Sequence, residues 1–283
     1  MPYATHDGVN IYYESFGDPA SPPLLLVNGL GSQCINYKDE WCEMFVAAGF
    51  FVIRFDNRDV GLSDKFDAVT DDPPYTVSDM AADALAVLDA AAGPQSRGHV
   101  VGFSMGGMIV QTLAIEHPER LLSMTSVMST TGDPDVGNAA PEALAMLMTP
   151  APDDREGAIR RHIEANGIYG SPAHQDEERL RANAAAAYDR CHHPAGVARQ
   201  MRAIVTSGSR TEALRSVEVP ALVLHGDCDR LVDISGGRRT AEAIPGARFE
   251  VLEGMGHDYP PAYWSRIVEL VASHAHSAAR MPS

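Results

Sequence analysis

Along the chain, short apolar runs alternate with longer stretches in which apolar side chains recur every three or four positions. The first pattern fits strands buried on both faces and the second fits amphipathic helices, so the alternation predicts a mostly parallel sheet wrapped by helices. The buried strands are "PLLLVNG" from Pro23, "FFVIRFD" from Phe50, "GHVVGFS" from Gly98, "LLSMTSVMS" from Leu121, "ALVLHGD" from Ala221 and "ARFEVLEG" from Ala247. Ahead of them "YATHD" and "NIYYESF" flank Gly8, and Asp7-Gly8 is a strong signal for a two-residue hairpin turn. The expected sheet therefore has eight strands, six parallel and two antiparallel at an edge. Crossover helices are expected in "YKDEWCEMFVAAG", "TVSDMAADALAVLDAAAG", "MIVQTLAIEHPER", "SGGRRTAEAIPG" and "PAYWSRIVELVASHAHS".

The alternation stops between Asp133 and Leu214, where Pro-rich joins separate helical stretches such as "DREGAIRRHIEANG" and "DEERLRANAAAAYDR". An α/β core of residues 1–132 and 215–283 is thus expected to carry a helical cap, residues 133–214, inserted after the sixth strand. That position sets the cap over the C-terminal edge of the sheet, where open α/β folds bind ligands.

Composition narrows the function. A chain of 283 residues, 45% hydrophobic, is long enough for a substantial core, and its formal charge of −16 disfavours nucleic acid or an anionic membrane as the main partner. No run approaches about 18 uninterrupted apolar residues. The opening "MPYATHDGVNIYYESFG" lacks the layout of a secretion signal. A soluble, cytoplasmic protein is expected. Cys34, Cys42, Cys191 and Cys228 form no CxxC pair and read as free thiols. No His/Cys/Asp spacing suggests a metal site and no GxGxxG follows a first strand, so chemistry without a cofactor or metal is expected.

The candidate chemistry lies where the strands end. In "GFSMGG", Ser104 falls at a turn from strand to helix, and Gly102 and Gly106 relieve the crowding that such a strained turn imposes. The turn exposes the hydroxyl and aims the helix N-terminus, with the Met105 N–H, at the space in front of it. A serine needs a base and an orienting acid, which in this layout follow in the order Ser, acid, His. His257 in "GMGHDYP" lies just after the last strand, and "HGDCD" offers Asp229 as the acid, with Asp227 as its alternative and Asp133 or Asp135 after the sixth strand as another. In "VNGLGSQ", Gly29 and Gly31 let the backbone turn around Leu30, whose N–H is the expected second oxyanion donor. Asp56 and Arg58 of "FDNRDVGLSD" read as loop-locking residues. Met105, Met108, Met146, Met148 and Met255 read as core filler, several of them close enough to a pocket to suit a flexible acyl group.

Through "GFSMGG", "NGLG", "HGDCD" and "GMGH", over nearly its whole length, the sequence resembles the α/β-hydrolase superfamily, and through "VIRFDNRDVGLSD" the branch of aclacinomycin methylesterase and related bacterial carboxylesterases. The resemblance implies nucleophile Ser104, acid Asp229, base His257 and main-chain oxyanion donors Leu30 and Met105. The chain departs from many members in carrying Asn28-Gly29 where they carry His-Gly, which bears on the packing of that loop. The expected activity is hydrolysis of small to medium hydrophobic carboxylic esters through an acyl-enzyme, with a small-molecule ester as partner. Methyl ester, thioester and lactone hydrolysis, perhydrolysis and carbon–carbon hydrolysis use the same triad, and a ligand-binding protein on a hydrolase scaffold is the non-enzymatic alternative.

Overall fold

The computed structural model describes residues 2–69 and 73–279; position 1, positions 70–72 and positions 280–283 of the expected core lie outside the described residues. Eight strands form one sheet: β1 (Tyr3–His6), β2 (Val9–Phe16), β3 (Pro23–Val27), β4 (Phe51–Phe55), β5 (Gly98–Phe103), β6 (Leu121–Val127), β7 (Ala221–Gly226) and β8 (Arg248–Leu252). Their spatial order is β1-β2-β4-β3-β5-β6-β7-β8. β1 pairs antiparallel with β2, and β2 antiparallel with β4; every later pairing is parallel. The hairpin turn at Asp7 and Gly8 holds both residues at positive φ, 47° and 81°, as the mirror-image turn that matches strand twist requires.

Side chains alternate between two cores, one on each face of the sheet. Leu25 and Val27 of β3 and Val100 of β5 face the side covered by α2 (Val77–Ala92) and α3 (Met105–Glu116), where Met80, Leu88, Ile109 and Leu113 meet them. Leu24, Leu26, Val101 and Phe103 face α1 (Asp39–Ala47) and a long C-terminal helix, through Trp41, Phe45, Ile267 and Val271. Helix boundaries follow local chemistry. Thr76 and Asp79 form a reciprocal capping box at the start of α2, and Gly93 ends that helix at φ 102°. One expectation changes: the apolar run "ARFEVLEG" predicts a buried strand, but β8 is the edge of the sheet, so one side has no neighbouring strand and Arg248 and Val251 are exposed.

Between β6 and β7 the described residues form helices: α4 (Pro141–Met148), α5 (Arg155–Tyr169), α6 (Glu177–Arg190), α7 (Pro194–Thr206) and the short α8 (Thr211–Leu214). Asp154 and Asp176 cap α5 and α6 by accepting from the Gly157 and Arg179 amides, and proline opens α4 and α7. After β7 come α9 (Ser235–Ala243), then β8 and α10 (Pro261–Ala278), the C-terminal helix already met. Among the described residues no helix is long and apolar enough to cross a membrane, and all four cysteines are free.

Candidate active site

β3 and β5 lie side by side, so the loops leaving their C-terminal ends are neighbours. At the end of β5 the backbone of Ser104 is held at φ 56° and ψ −119°, a conformation that costs a non-glycine residue on the order of 1–3 kcal/mol. The surroundings over-determine it. A Cβ on Gly102 would lie 2.0 Å from the Gly106 carbonyl oxygen, and one on Gly106 would lie 2.0 Å from that of Val27. Both positions exclude any side chain. The Ser104 amide donates to Val127 O at 3.0 Å, its carbonyl accepts from Gly107 N at 2.8 Å, and Ser129 Oγ donates to the same carbonyl at 2.7 Å. Met105 opens α3, so its N–H, like every first-turn amide, has no acceptor within its helix.

The two glycines around Leu30 do different things. Gly31 is in the left-handed region at φ 66°, whereas Gly29 is needed for space: a Cβ there would lie 3.2 Å from both Phe103 O and Ser104 Cβ. Asn28 is fully buried and donates to Phe55 O at 3.2 Å, while Asn57 donates to Asn28 O at 3.0 Å, so this loop is anchored to the loop after β4.

The structure brings the three expected polar residues into one line. His257 Nε2 is 2.9 Å from Ser104 Oγ, and His257 Nδ1 is 2.7 Å from Asp229 Oδ2. A buried carboxylate accepts, so Nδ1 carries the imidazole proton and Nε2 is left to accept from the serine hydroxyl. Asp229 Oδ1 accepts from the Leu231 and Val232 amides at 2.9 and 2.8 Å. Burial alone would raise this carboxyl, but its interactions with His257 first and His225 second outweigh it and hold it well below the ordinary carboxylate range. The other acids lie elsewhere. Asp227 accepts from Gly254 N at 2.6 Å, Asp133 pairs with Arg239, and Asp135 is exposed. Asp56 accepts from Cys34 N at 2.6 Å, Leu62 N at 2.8 Å and Arg190, while Arg58 pairs with Asp83, so both serve as loop anchors.

A cavity of about 480 Å³ opens in front of Ser104, lined by Leu30, Met105 and His257 from the sheet edge and by Tyr169, Leu180 and Met201 from the helices between β6 and β7. Met105 and Met108 line it; Met255 is buried in the core behind α10's face of the sheet, and Met148 is exposed. Beneath it Phe103, one residue before the serine, packs on Tyr259, two after the histidine, with ring centroids 4.9 Å apart; both rest on Trp41. That aromatic floor fixes the two loops relative to each other.

The model of the serine aminopeptidase, S33 family (Hydrolase_4) matches residues 19–260. The chain is a member of that family of α/β-hydrolases. It is 36% identical to rhodomycin D methylesterase DnrP of Streptomyces peucetius and 34% to rhodomycin D methylesterase DauP of Streptomyces sp. (strain C5), each match covering 97% of both chains. Among solved structures it is similar to Est816, an N-acyl homoserine lactone degrading enzyme, with a TM-score of 0.75, 27% identity, and 96% and 99% of the two chains covered. The α/β-hydrolase fold and carboxylic ester hydrolase class expected from the sequence are those of this family and these relatives.

Several supporting residues of the hydrolase went unnoticed in the sequence. His225, fully buried in "LHGD", has Nε2 at 2.8 Å from Val232 O and 3.5 Å from Asp229 Oδ2, bracing the acid loop. Asp258 accepts from Ser171 N and Asn166 Nδ2, each at 3.0 Å, and the His257 amide donates to Tyr169 O at 2.6 Å. Gln200 of α7, buried, accepts from Gly31 N and donates to Arg58 O, each at 2.8 Å, which fixes the loop carrying Leu30. Asp258 could have been found as the polar neighbour of His257; Gln200 carries no local signal.

Proposed function

We propose that the protein hydrolyses small to medium hydrophobic carboxylic esters with Ser104 as nucleophile, His257 as general base and acid, and Asp229 as the group that orients and stabilises the imidazolium. The observation that carries this reading is the unbroken line from Asp229 Oδ2 through His257 to Ser104 Oγ, at 2.7 and 2.9 Å. Ser104 Oγ attacks the ester carbonyl carbon as its proton passes to His257 Nε2. The oxyanion is received by the Leu30 and Met105 N–H groups, at the positive end of α3. The tetrahedral intermediate collapses, His257 protonates the departing alkoxide, and an alcohol leaves. Water, deprotonated by His257, then attacks the acyl-enzyme and releases the acid.

In this reading residues 133–214 act as a lid: their side chains supply one wall of the cavity, and Tyr169, Leu180, Met201 and Ile204 give it the apolar character that suits a hydrophobic acyl group. The similarity to two methylesterases, at 36% and 34% identity, favours a methyl ester within the ester class. Fluorophosphonate labelling tests the core of the proposal. Labelling adds the probe mass at Ser104 and is absent in Ser104→Ala, which retains on the order of 10⁻⁶ of wild-type kcat. A Ser104→Ala variant with most of its activity overturns the assignment. A panel varying acyl length and alcohol size, methyl esters included, then maps the pocket.

A further inference from the structure

Most polar groups around the cavity are already engaged. Asp258 is held by Ser171 and Asn166, and Gln33 donates to Ala187 O at 2.7 Å and Cys191 O at 2.8 Å. One group of cavity-lining donors is different: Lys38 and Asn36 from the segment before α1, Arg179 and Asn183 from α6, and His162 from α5. Arg179 and Asn183 are four residues apart on their helix and so share a face. Among the described residues none of these five side chains hydrogen-bonds another protein group, and Arg179 makes one long, part-exposed ion pair, to Asp176 at 3.9 Å. Lys38 is half-buried with no carboxylate within ion-pair distance; its neighbour Asp39 is taken by Arg54 at 2.8 Å. Burial first, then the Arg54 and Arg179 charges, lower the Lys38 pKa, so two cations are held near each other against their mutual repulsion. In a chain with formal charge −16, two cations and two amides that line one largely apolar cavity present a set of donors to whatever the cavity holds.

We propose that Lys38 and Arg179, with Asn36 and Asn183, form a subsite for a carboxylate carried by the ester substrate, so that this hydrolase acts on esters bearing one free acid group. The inference rests on the reading of the same cavity as the ester-binding site. Arg179 offers a planar fork that matches a carboxylate, Lys38 adds a point charge, and the amides complete the donor set. Asp176, Asp39 and Glu40 oppose part of the field of the two cations, which suits a single negative charge better than a phosphate dianion. Arg179 also lines a second hollow, of about 320 Å³, together with Pro260 and Pro261, so this residue of the subsite stands between the cavity and that hollow. An acid group there is held while the rest of the molecule reaches toward Ser104.

Two pairs of esters of matched size test this. On the acyl side, 4-nitrophenyl heptanoate is compared with the mono-4-nitrophenyl ester of adipic acid. On the alcohol side, 4-methylphenyl acetate is compared with 4-acetoxybenzoate. Wild type is expected to favour the acid in at least one pair by about tenfold in kcat/KM, through KM, with the ratio falling as salt is added. Lys38→Gln and Arg179→Gln each reduce that ratio about tenfold, and Lys38→Arg keeps most of it. Equal or inverse preference in both pairs, or a ratio unmoved by both glutamine variants, overturns the subsite. Calorimetric binding of the same compounds to Ser104→Ala reads the preference without turnover. Preferential binding of the acids with no hydrolysis by wild type sinks the esterase reading and leaves the subsite standing; hydrolysis without preference does the reverse.

Discussion

The elbow at Ser104 and the helices between β6 and β7 are built on opposite terms. In α3, ten of twelve residues are buried, from Met105 to Ala114; in α6, of fourteen residues, Leu180 is the buried one. The elbow is held by close packing that leaves no room for a methyl group, while the helical segment is held by a few polar ties to the sheet edge. Arg199 of α7 donates twice, at 2.8 Å, to the buried Asp59, and Gln200 bridges to Gly31 and Arg58. Chemistry that depends on tenths of an ångström is assigned to the first region, and shape around a substrate to the second.

The largest effect expected on that contrast comes from the acid. Asp229→Asn keeps the volume but no longer enforces the tautomer of His257, and kcat is expected to fall by about 10⁴ with folding retained, measured by steady-state kinetics beside circular dichroism. The same variant has a pH signature. The folded-state pKa of Asp229 lies below its unfolded value, so its contribution is fully present above about pH 4 and is lost as pH falls further, toward the folded value. The gap in Tm between wild type and Asp229→Asn is expected to narrow as the pH is lowered from 7 to 3; a constant gap contradicts the assignment.

Glycines give the next test. Gly106→Ala forces a methyl group onto the Val27 carbonyl and is expected to cost at least about 3 kcal/mol in urea unfolding. Arg199→Ala removes both hydrogen bonds to Asp59, which keeps those from Phe66 N and Tyr75 Oη, and is expected to cost about 1.5–3 kcal/mol. Limited proteolysis should then cut within 133–214 before it cuts the sheet. The smallest effect has the opposite sign. Gly167 of α5 has nothing within 4 Å of a Cβ, so Gly167→Ala is expected to stabilise by about 0.5–1 kcal/mol. If Gly106→Ala is as mild as Gly167→Ala, the contrast between the two regions fails.

The same contrast explains what could be read from the sequence. Strands β3 to β7 are buried on both sides and show as apolar runs, and Ser104, Asp229 and His257 stand just past such runs, where local pattern and chemistry coincide. β8 looked the same in sequence but is an edge, because burial depends on a neighbour the sequence does not record. α4, which buries Ala143, and α7 each open at a proline, so in the sequence their starts read as joins between helices. The ties themselves were out of reach: Gly31 and Gln200 are 169 positions apart, and Asp59 and Arg199 are 140. Lys38 and Arg179 line one cavity from distant parts of the chain, and neither falls in a recognisable motif.

The contact between Gly256 and Gly170 has a kinetic meaning. A Cβ on Gly256 would lie 2.3 Å from the Gly170 carbonyl carbon, and the next amide, that of His257, is bonded to Tyr169 O at the end of α5. The base is thereby fastened to the proposed lid as well as to the sheet. Lifting the end of α5 would either break the bond from His257 to Tyr169 or carry the proposed base away from Ser104. An opening of the cavity at that end would therefore alternate with reactivity.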